Sequence, residues 1–189
     1  VAEDTYKGAL IGDLVRANVA LLTAHTNADV VEQGVSDVLA TTLGLTNVRA
    51  IETTVSATEG IGRVGELSSP TTLGELAQLV ASILPATAQG VAVSGDFTQS
   101  VRTVSLCGGA GDSLLEHPAV TGSDVYITSD LRHHRASEAR EQALTVGGPA
   151  LINVSHWASE FMWLETAARQ LRELLPDRKS TRLNSSHTV

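Results

Sequence analysis

Apolar residues along the chain follow two spacings, one typical of amphipathic helices and one of buried strands. The helical spacing predicts helices over 6–18, 30–43, 72–84, 136–144 and 158–175. Short, continuous apolar runs predict strands over 19–24, 48–55, 90–94, 101–106, 125–128 and 150–154. Because helices alternate with strands, we expect an α/β protein built around a sheet.

Local signals mark several boundaries of these elements. Thr72 and Glu75 have the spacing of a capping box, in which each side chain satisfies the other's free backbone N–H. Pro85 follows at the point where that helix should end, and Gly44 is placed to end the helix over 30–43. The glycine-spaced stretch 60–67 is assigned no element.

The overall composition narrows the classes of partner. The formal net charge is −8, and an acidic surface repels phosphate backbones and anionic bilayers, which argues against nucleic acid and membranes. Aromatic residues make up 3% of the chain, so Val, Leu, Ile and Ala must build the core. The single cysteine, Cys107, excludes an intrachain disulfide. With no apolar run of the ~20 residues that span a bilayer, we expect a cytoplasmic protein.

Both ends of the sequence are unusual. The chain begins at Val1 and its one methionine is Met162, which predicts a chain that lacks its natural start. Residues 177–189 have no apolar period and resemble a translated sequencing adapter, so we expect a non-native tail; an ordinary disordered tail is the alternative. A boundary near Pro70 predicts the remainder of a first lobe over 1–66 and a second lobe over 67–176.

Two short clusters carry the candidate chemistry. His25 precedes Asp29 by four residues, and His156 precedes Glu160 by the same interval. Each cluster follows an apolar run, and the carboxyl ends of strands are where α/β proteins place ligands. Imidazole nitrogen and carboxylate oxygen are ligands of Zn, Mn and Fe. The two clusters together predict one metal centre.

A simpler interpretation exists for each carboxylate. Asp29 is a good N-cap for a helix that begins at Val30. Glu160 is placed to stabilise the start of the last helix through the helix dipole. Taken singly, neither cluster decides between a structural and a functional role.

Two further polar segments follow predicted strands. The run Cys107-Gly108-Gly109-Ala110-Gly111 is either an anion-binding turn or a tight strand-to-helix turn, with Cys107 a buried small residue. Arg132, His133 and His134 either decorate the surface at a helix start or take part in acid–base or anion chemistry.

Six segments, in their order and spacing over residues 1–176, carry a family resemblance. They are Tyr6-Lys7-Gly8, Ala24-His25-Thr26-Asn27-Ala28-Asp29, Gly62-Arg63-x-Gly65-Glu66-Leu67, Cys107-Gly108-Gly109-Ala110-Gly111, Thr128-x-Asp130-x-Arg132-His133-His134 and His156-x-x-x-Glu160. Through them the chain resembles the Nif-three-like dinuclear-metal hexameric family, also known as type-two GTP cyclohydrolase I homologues. The resemblance implies a two-lobed αβ sandwich with mixed sheets, a metal cleft between the lobes, an incomplete first lobe and a cytoplasmic homohexamer.

The resemblance also implies the residues of the site. Two divalent ions (Zn, Mn or Fe) would be held by Asp29, His156 and a bridging Glu160, with His25 in the second shell or carrying protons. The family's His-His-Pro segment has no counterpart here, because His133-His134 lies elsewhere in the chain and lacks the proline. The chain should therefore hold only part of the metal site.

The function expected from these residues is metal-dependent hydrolysis of a small substrate, with a nucleotide such as GTP as the candidate. His25 or His133 would move protons, and Arg132 would hold a negatively charged group of the substrate. A non-catalytic, metal-binding regulatory or scaffold protein is the alternative.

Overall fold

The computed structural model describes residues 2–54, 56 and 58–176. Its helices are α1 (Tyr6–Arg16), α2 (Thr26–Val30), α3 (Val35–Thr42), α4 (Leu73–Ile83), α5 (Pro118–Thr121), α6 (His133–Val146), α7 (His156–Phe161) and α8 (Trp163–Leu174). Its strands are β1 (Thr46–Thr53), β2 (Gly60–Thr72), β3 (Ala92–Ser94), β4 (Ser100–Ala110), β5 (Val125–Ser129) and β6 (Ala150–Val154). None of the described helices is long and apolar enough to cross a membrane.

The six strands form one mixed sheet in the order β1-β2-β4-β5-β6-β3. β4, β5 and β6 run parallel, whereas β1 pairs with β2, β2 with β4 and β3 with β6 in antiparallel fashion. Ala110 pairs with Ser129, and Ser129 with Val154, so the three parallel strands end at one level. The α/β class with a mixed sheet is confirmed, and this common edge places the candidate site.

Apolar side chains cover both faces of the sheet. Along β5, Val125 and Ile127 join a core cluster with α3 and α4, while Tyr126 between them joins a second cluster with residues around α5. This alternation follows from the two-residue period of a strand. Because β5 is buried on both faces, the residues that follow it are held firmly in place.

The local boundary signals are confirmed. The Thr72 hydroxyl accepts a hydrogen bond from the Glu75 backbone N–H, and the Glu75 carboxylate accepts one from the Thr72 N–H, so the capping box is complete. α4 ends at Ile83, two residues before Pro85. Gly44 follows α3 with a φ of +72°, the left-handed conformation that glycine adopts without steric cost. Cys107 is buried, as expected.

The predicted strand over 19–24 is wrong. These residues form no strand, and Leu21 and Leu22 are 62% and 91% exposed. The described edge strands of the sheet are β1 and β3, and neither pairs with this segment. An apolar run becomes a strand only where another strand accepts its hydrogen bonds, and hydrophobicity alone does not supply that partner.

The predicted helix over 30–43 begins only at Val35, as α3, and a turn over 31–34 separates it from the short helix α2, which covers 26–30. Gln33 has a positive φ of +58°, and a Cβ on Gly34 would lie 2.3 Å from the carbonyl oxygen of Ala28. The last predicted helix is likewise divided at Met162, between α7 and α8.

The stretch 60–67, which was assigned no element, is the first half of β2. Gly62 adopts a φ of +64°, and a Cβ there would lie 2.7 Å from Ile51 Cδ1 and 2.9 Å from the Leu106 carbonyl oxygen. The glycine thus permits close packing of three strands, which the sequence pattern alone does not reveal.

The division into lobes stays a prediction, and its proposed boundary between residues 66 and 67 falls within β2. The predicted non-native tail, 177–189, lies outside the described residues.

Candidate functional site

The centre of the site is His156, the first residue of α7, at the common edge of the parallel strands. Its Nδ1 lies 2.7 Å from Oδ2 of Asp130, which directly follows β5. Its Nε2 lies 3.0 Å from Oε1 of Glu160, one turn further along α7. Both ring nitrogens therefore face carboxylates, one from a loop and one from the same helix.

The double contact affects the protonation of His156. Burial opposes the charged ring, but the hydrogen bond with Asp130 and the charge of Glu160 prevail and raise the pKa of His156. A neutral imidazole has one donor and one acceptor nitrogen, so it cannot donate to both carboxylates. A positive charge, either a proton or a metal ion at Nε2, satisfies the arrangement.

Gly109 of β4 makes room for this pair of side chains. Its φ is +73°, and a Cβ would lie 2.8 Å from Glu160 Oε1 and 3.3 Å from His156 Nε2. Both the backbone conformation and the close approach therefore require glycine. The absent side chain leaves space beside the imidazole and the carboxylate.

Buried serines fix the start of α7 against the strand ends. The Ser159 hydroxyl accepts a hydrogen bond from Gly109 N–H at 2.8 Å and donates one to the His156 carbonyl at 2.7 Å. The Ser129 hydroxyl donates to the Gly109 carbonyl at 2.7 Å. This network joins β4, β5 and α7, so the positions of His156 and Glu160 are set by hydrogen bonds within the core.

Asp29 reaches the same region from α2. Burial raises the pKa of Asp29, although the nearby His25 and His156 oppose the shift. His25, Asp29 and Glu160 line one pocket. Asp29 lies inside α2 and does not cap a helix beginning at Val30, because the N-cap of α2 is His25. The capping interpretation of Asp29 is therefore wrong.

A buried arginine holds the segment that follows α2. Arg63 of β2 is 1% exposed. Its guanidinium donates to the carbonyls of Gly60, at 2.6 Å, and Val31, at 3.1 Å, and pairs with Asp37 at 3.2 Å. The contacts span α3, β2 and the turn between α2 and α3, so Arg63 helps to position Asp29.

The predicted catalytic residues of α6 lie apart from this pocket. Arg132 forms an exposed ion pair with Asp112, with Nη2 and Oδ2 2.6 Å apart. His133 and His134 are exposed, with their rings edge to face at 5.5 Å. None of the three lines the pocket that contains His25, Asp29 and Glu160.

The donor set fits part of a divalent metal site. One imidazole and two carboxylates are suitable ligands for Zn, Mn or Fe, and Gly109 leaves space beside two of them. Within the described residues, however, no three His, Cys, Asp or Glu side chains form a group that could hold an ion as they stand. The roles assigned to Asp29, His156, Glu160, His25, His133 and Arg132 stay predictions.

Sequence reasoning included Asp130 and Gly109 in longer segments but placed neither beside His156. Asp130 occupies the left-handed region with a φ of +55°, a conformation that Asp tolerates better than most residues. The sequence signal for this contact was that Asp130 directly follows one strand and His156 follows another. The sequence alone does not give the strand order, which brings these two residues together.

Comparison with known proteins identifies the family. The model of the family described as Duf34/NIF3 (NGG1p interacting factor 3) matches residues 1–188. The chain belongs to the Duf34/NIF3 family. Within it, a Streptomyces coelicolor protein named GTP cyclohydrolase 1 type 2 homolog is 47% identical over 177 residues, which are 92% of this chain and 61% of that protein. A Nostoc protein of the same name is 34% identical over 172 residues, covering 89% and 63%.

The fold agrees with that of a solved structure. The Bacillus cereus protein related to NIF3 superposes with a TM-score of 0.84 at 19% identity, covering 100% of this chain and 78% of that one. This agreement confirms the expected α/β fold with a mixed sheet, while the two lobes and the metal cleft stay predictions. The chain spans about three fifths of the length of its Streptomyces relative.

Proposed function

We propose that this Duf34/NIF3 chain contributes to a dinuclear metal centre of a divalent-metal-dependent hydrolase, with a nucleotide such as GTP as the candidate substrate. The observation that carries the proposal is His156, held between Asp130 and Glu160 beside the space left by Gly109. The name of the Streptomyces relative, GTP cyclohydrolase 1 type 2 homolog, supports the substrate class.

Asp29, His156 and Glu160 would hold the ions. Bound divalent ions would supply an activated water and polarise the bond under attack. Asp130 would accept a hydrogen bond from the Nδ1–H of His156 and so keep the lone pair on Nε2 free for a metal ligand role, as carboxylates behind metal-bound histidines do. The hydrogen bonds of the buried serines would hold the His156 ring and the Glu160 carboxylate in position while the ions bind.

Other residues would act on the substrate. His25, which lines the pocket with Asp29, is placed to move protons, and His133 is the second candidate. Arg132 would bind a negatively charged group after leaving Asp112. We further propose a cytoplasmic homohexamer.

The test is metal binding with a matched substitution. We expect Glu160→Gln to lower the affinity for Zn²⁺ or Mn²⁺ strongly, while Glu173→Gln, an exposed glutamate of α8, leaves it unchanged. Steady-state assays across a panel of nucleotides with added metal then measure hydrolysis. Equal metal affinities in the two variants would contradict the proposal.

The alternative is a metal-binding regulatory or scaffold protein without turnover. The observation that favours it is the pairing of Arg132 with Asp112, which leaves the candidate substrate anchor occupied. Metal binding that depends on Glu160, without hydrolysis of any nucleotide by the chain or by its Streptomyces relative, would establish this alternative.

A further inference from the structure

Aromatic side chains gather in one pocket, although they are scarce in the chain. There are two tryptophans, two tyrosines and two phenylalanines in the whole sequence. Trp157, Trp163 and Phe161 all line the pocket that also contains Asp29 and Glu160. Because Val, Leu, Ile and Ala build most of the core, this concentration of rings is specific to the pocket.

The rings are arranged as a wall at the surface. Trp157 and Phe161 are one helical turn apart, with ring centroids 4.9 Å apart and planes tilted by 48°. Phe161 ends α7 and Trp163 begins α8, and both side chains line the same cavity. All three side chains are partly exposed, and Trp157 also packs against the core beneath the pocket.

The size and charge of the pocket limit what it can bind. Its volume is about 300 Å³, at the lower end of the roughly 300–1,000 Å³ of small-molecule sites. That space suits a single ring system better than a whole nucleotide. Of the described residues that line it, His25 is the only basic one, while Asp29 and Glu160 are acidic, so a bare phosphate is repelled.

We propose that the pocket binds a neutral, planar heteroaromatic ring of nucleobase size, stacked against the tryptophan side chains beside Asp29 and Glu160. Stacking on aromatic side chains is tolerant of base identity, because every base has a π-face. The inference rests on the proposed function in so far as it treats the pocket as the substrate side of the metal centre. Substrate specificity at this pocket would then come from recognition of the ring.

The two tryptophans provide the measurement, because both line the pocket and no other tryptophan contributes to the emission. In metal-free buffer, a neutral nucleoside should quench tryptophan fluorescence to saturation, and ribose should not. Calorimetry should give the same Kd without interference from ring absorbance. A nucleoside triphosphate should bind only when a divalent ion is added.

Substitution of Trp163 tests the contact itself. Trp163→Leu should weaken nucleoside binding about tenfold or more, as expected for the loss of one stacking partner. Trp163→Phe should retain most of the affinity, and circular dichroism of both variants checks that they fold. If Trp163→Leu does not fold, the comparison of wild type with Trp157→Leu takes its place, with weaker nucleoside binding expected.

Several results would overturn the inference: no saturable binding of the nucleoside, equal binding of ribose, metal-independent binding of the triphosphate, or unchanged affinity in a folded Trp-to-Leu variant. Failure of the proposed function is separable. Nucleoside binding without Glu160-dependent metal binding would support the ring pocket and contradict the proposed hydrolase. Metal-dependent turnover without ring binding would support the hydrolase and contradict the ring pocket.

Discussion

At the scale of single residues, a comparison of Gly109 with Gly44 distinguishes two reasons for a glycine. One is the backbone conformation, and the other is the space that the missing side chain leaves. Gly109 and Gly44 have φ values of +73° and +72°, but a Cβ on Gly44 would meet nothing within 4 Å. Alanine at either position should therefore cost about 1–2 kcal/mol of stability from the left-handed backbone. Only Gly109→Ala should also displace the Glu160 carboxylate and weaken metal binding. Chemical denaturation and metal titration measure the two effects, and equal metal affinity in both variants would refute this role of Gly109.

Arg63 is the second residue whose environment predicts a large effect. Arg63→Met would remove the guanidinium donor from the carbonyls of Gly60 and Val31 and from Asp37, which still accepts from the Gln33 N–H. The Asp37 side chain is 27% exposed, so the ion pair is only partly buried, and leaving a buried acceptor without its partner costs about 1–3 kcal/mol. Arg102→Met is the matched control, because Arg102 pairs with Glu66 at the surface, where such a pair contributes about 0–1 kcal/mol. Urea denaturation compares the two, and similar losses would show that the contacts of Arg63 are not decisive.

At the scale of elements, the start of α4 should respond to pH. Hydrogen bonds from the Thr72 backbone and from the Thr71 and Thr72 hydroxyls lower the pKa of Glu75 below its ordinary value of 4.5. A carboxyl whose pKa is lower in the folded state contributes stability above its unfolded pKa and loses it as pH falls through the folded pKa. Glu75→Gln should thus destabilise the protein at neutral pH, and the difference from wild type should shrink below the ordinary pKa.

Thermal melts at a series of pH values check this behaviour of Glu75. Glu173→Gln serves as the control, because Glu173 lies at the end of α8 and forms no cap. A difference between Glu75→Gln and wild type that is the same at neutral and acidic pH would mean that the ionised carboxylate contributes nothing.

Elements also show how far the sequence could be interpreted. The α4 cap was predictable, because Thr72 and Glu75 lie within one turn and satisfy each other. The absence of a strand over 19–24 was not predictable, because the pairing of a strand depends on residues far away in the chain. For the same reason, only one of the two carboxylate contacts of His156 was predictable. His156 and Glu160 share a helix, whereas the contact between Asp130 and His156 depends on β5 lying beside β6.

At the scale of the whole molecule, ligand number should limit metal binding. Asp29, His156 and Glu160 offer three candidate donors, and a single structural Zn²⁺ ordinarily takes four. We therefore expect this chain to retain less metal after dialysis than its Streptomyces relative, of which it spans 61%. Elemental analysis of both proteins measures the stoichiometry. Two tightly held ions per copy of this chain would contradict the expectation.

The unequal edges of the described sheet have a consequence for behaviour at high concentration. β3 covers β6 with only three residues, which offers a second chain little to pair with. β1 is eight residues long and leaves one side of its backbone open. Exposed Arg49 and Glu52 lie on β1, and charged side chains on an edge strand discourage the addition of another strand. Replacing both with threonine should promote aggregation through this edge of the sheet. The solubility of the chain is therefore expected to depend on two charged residues of β1 that are not among the candidate site residues.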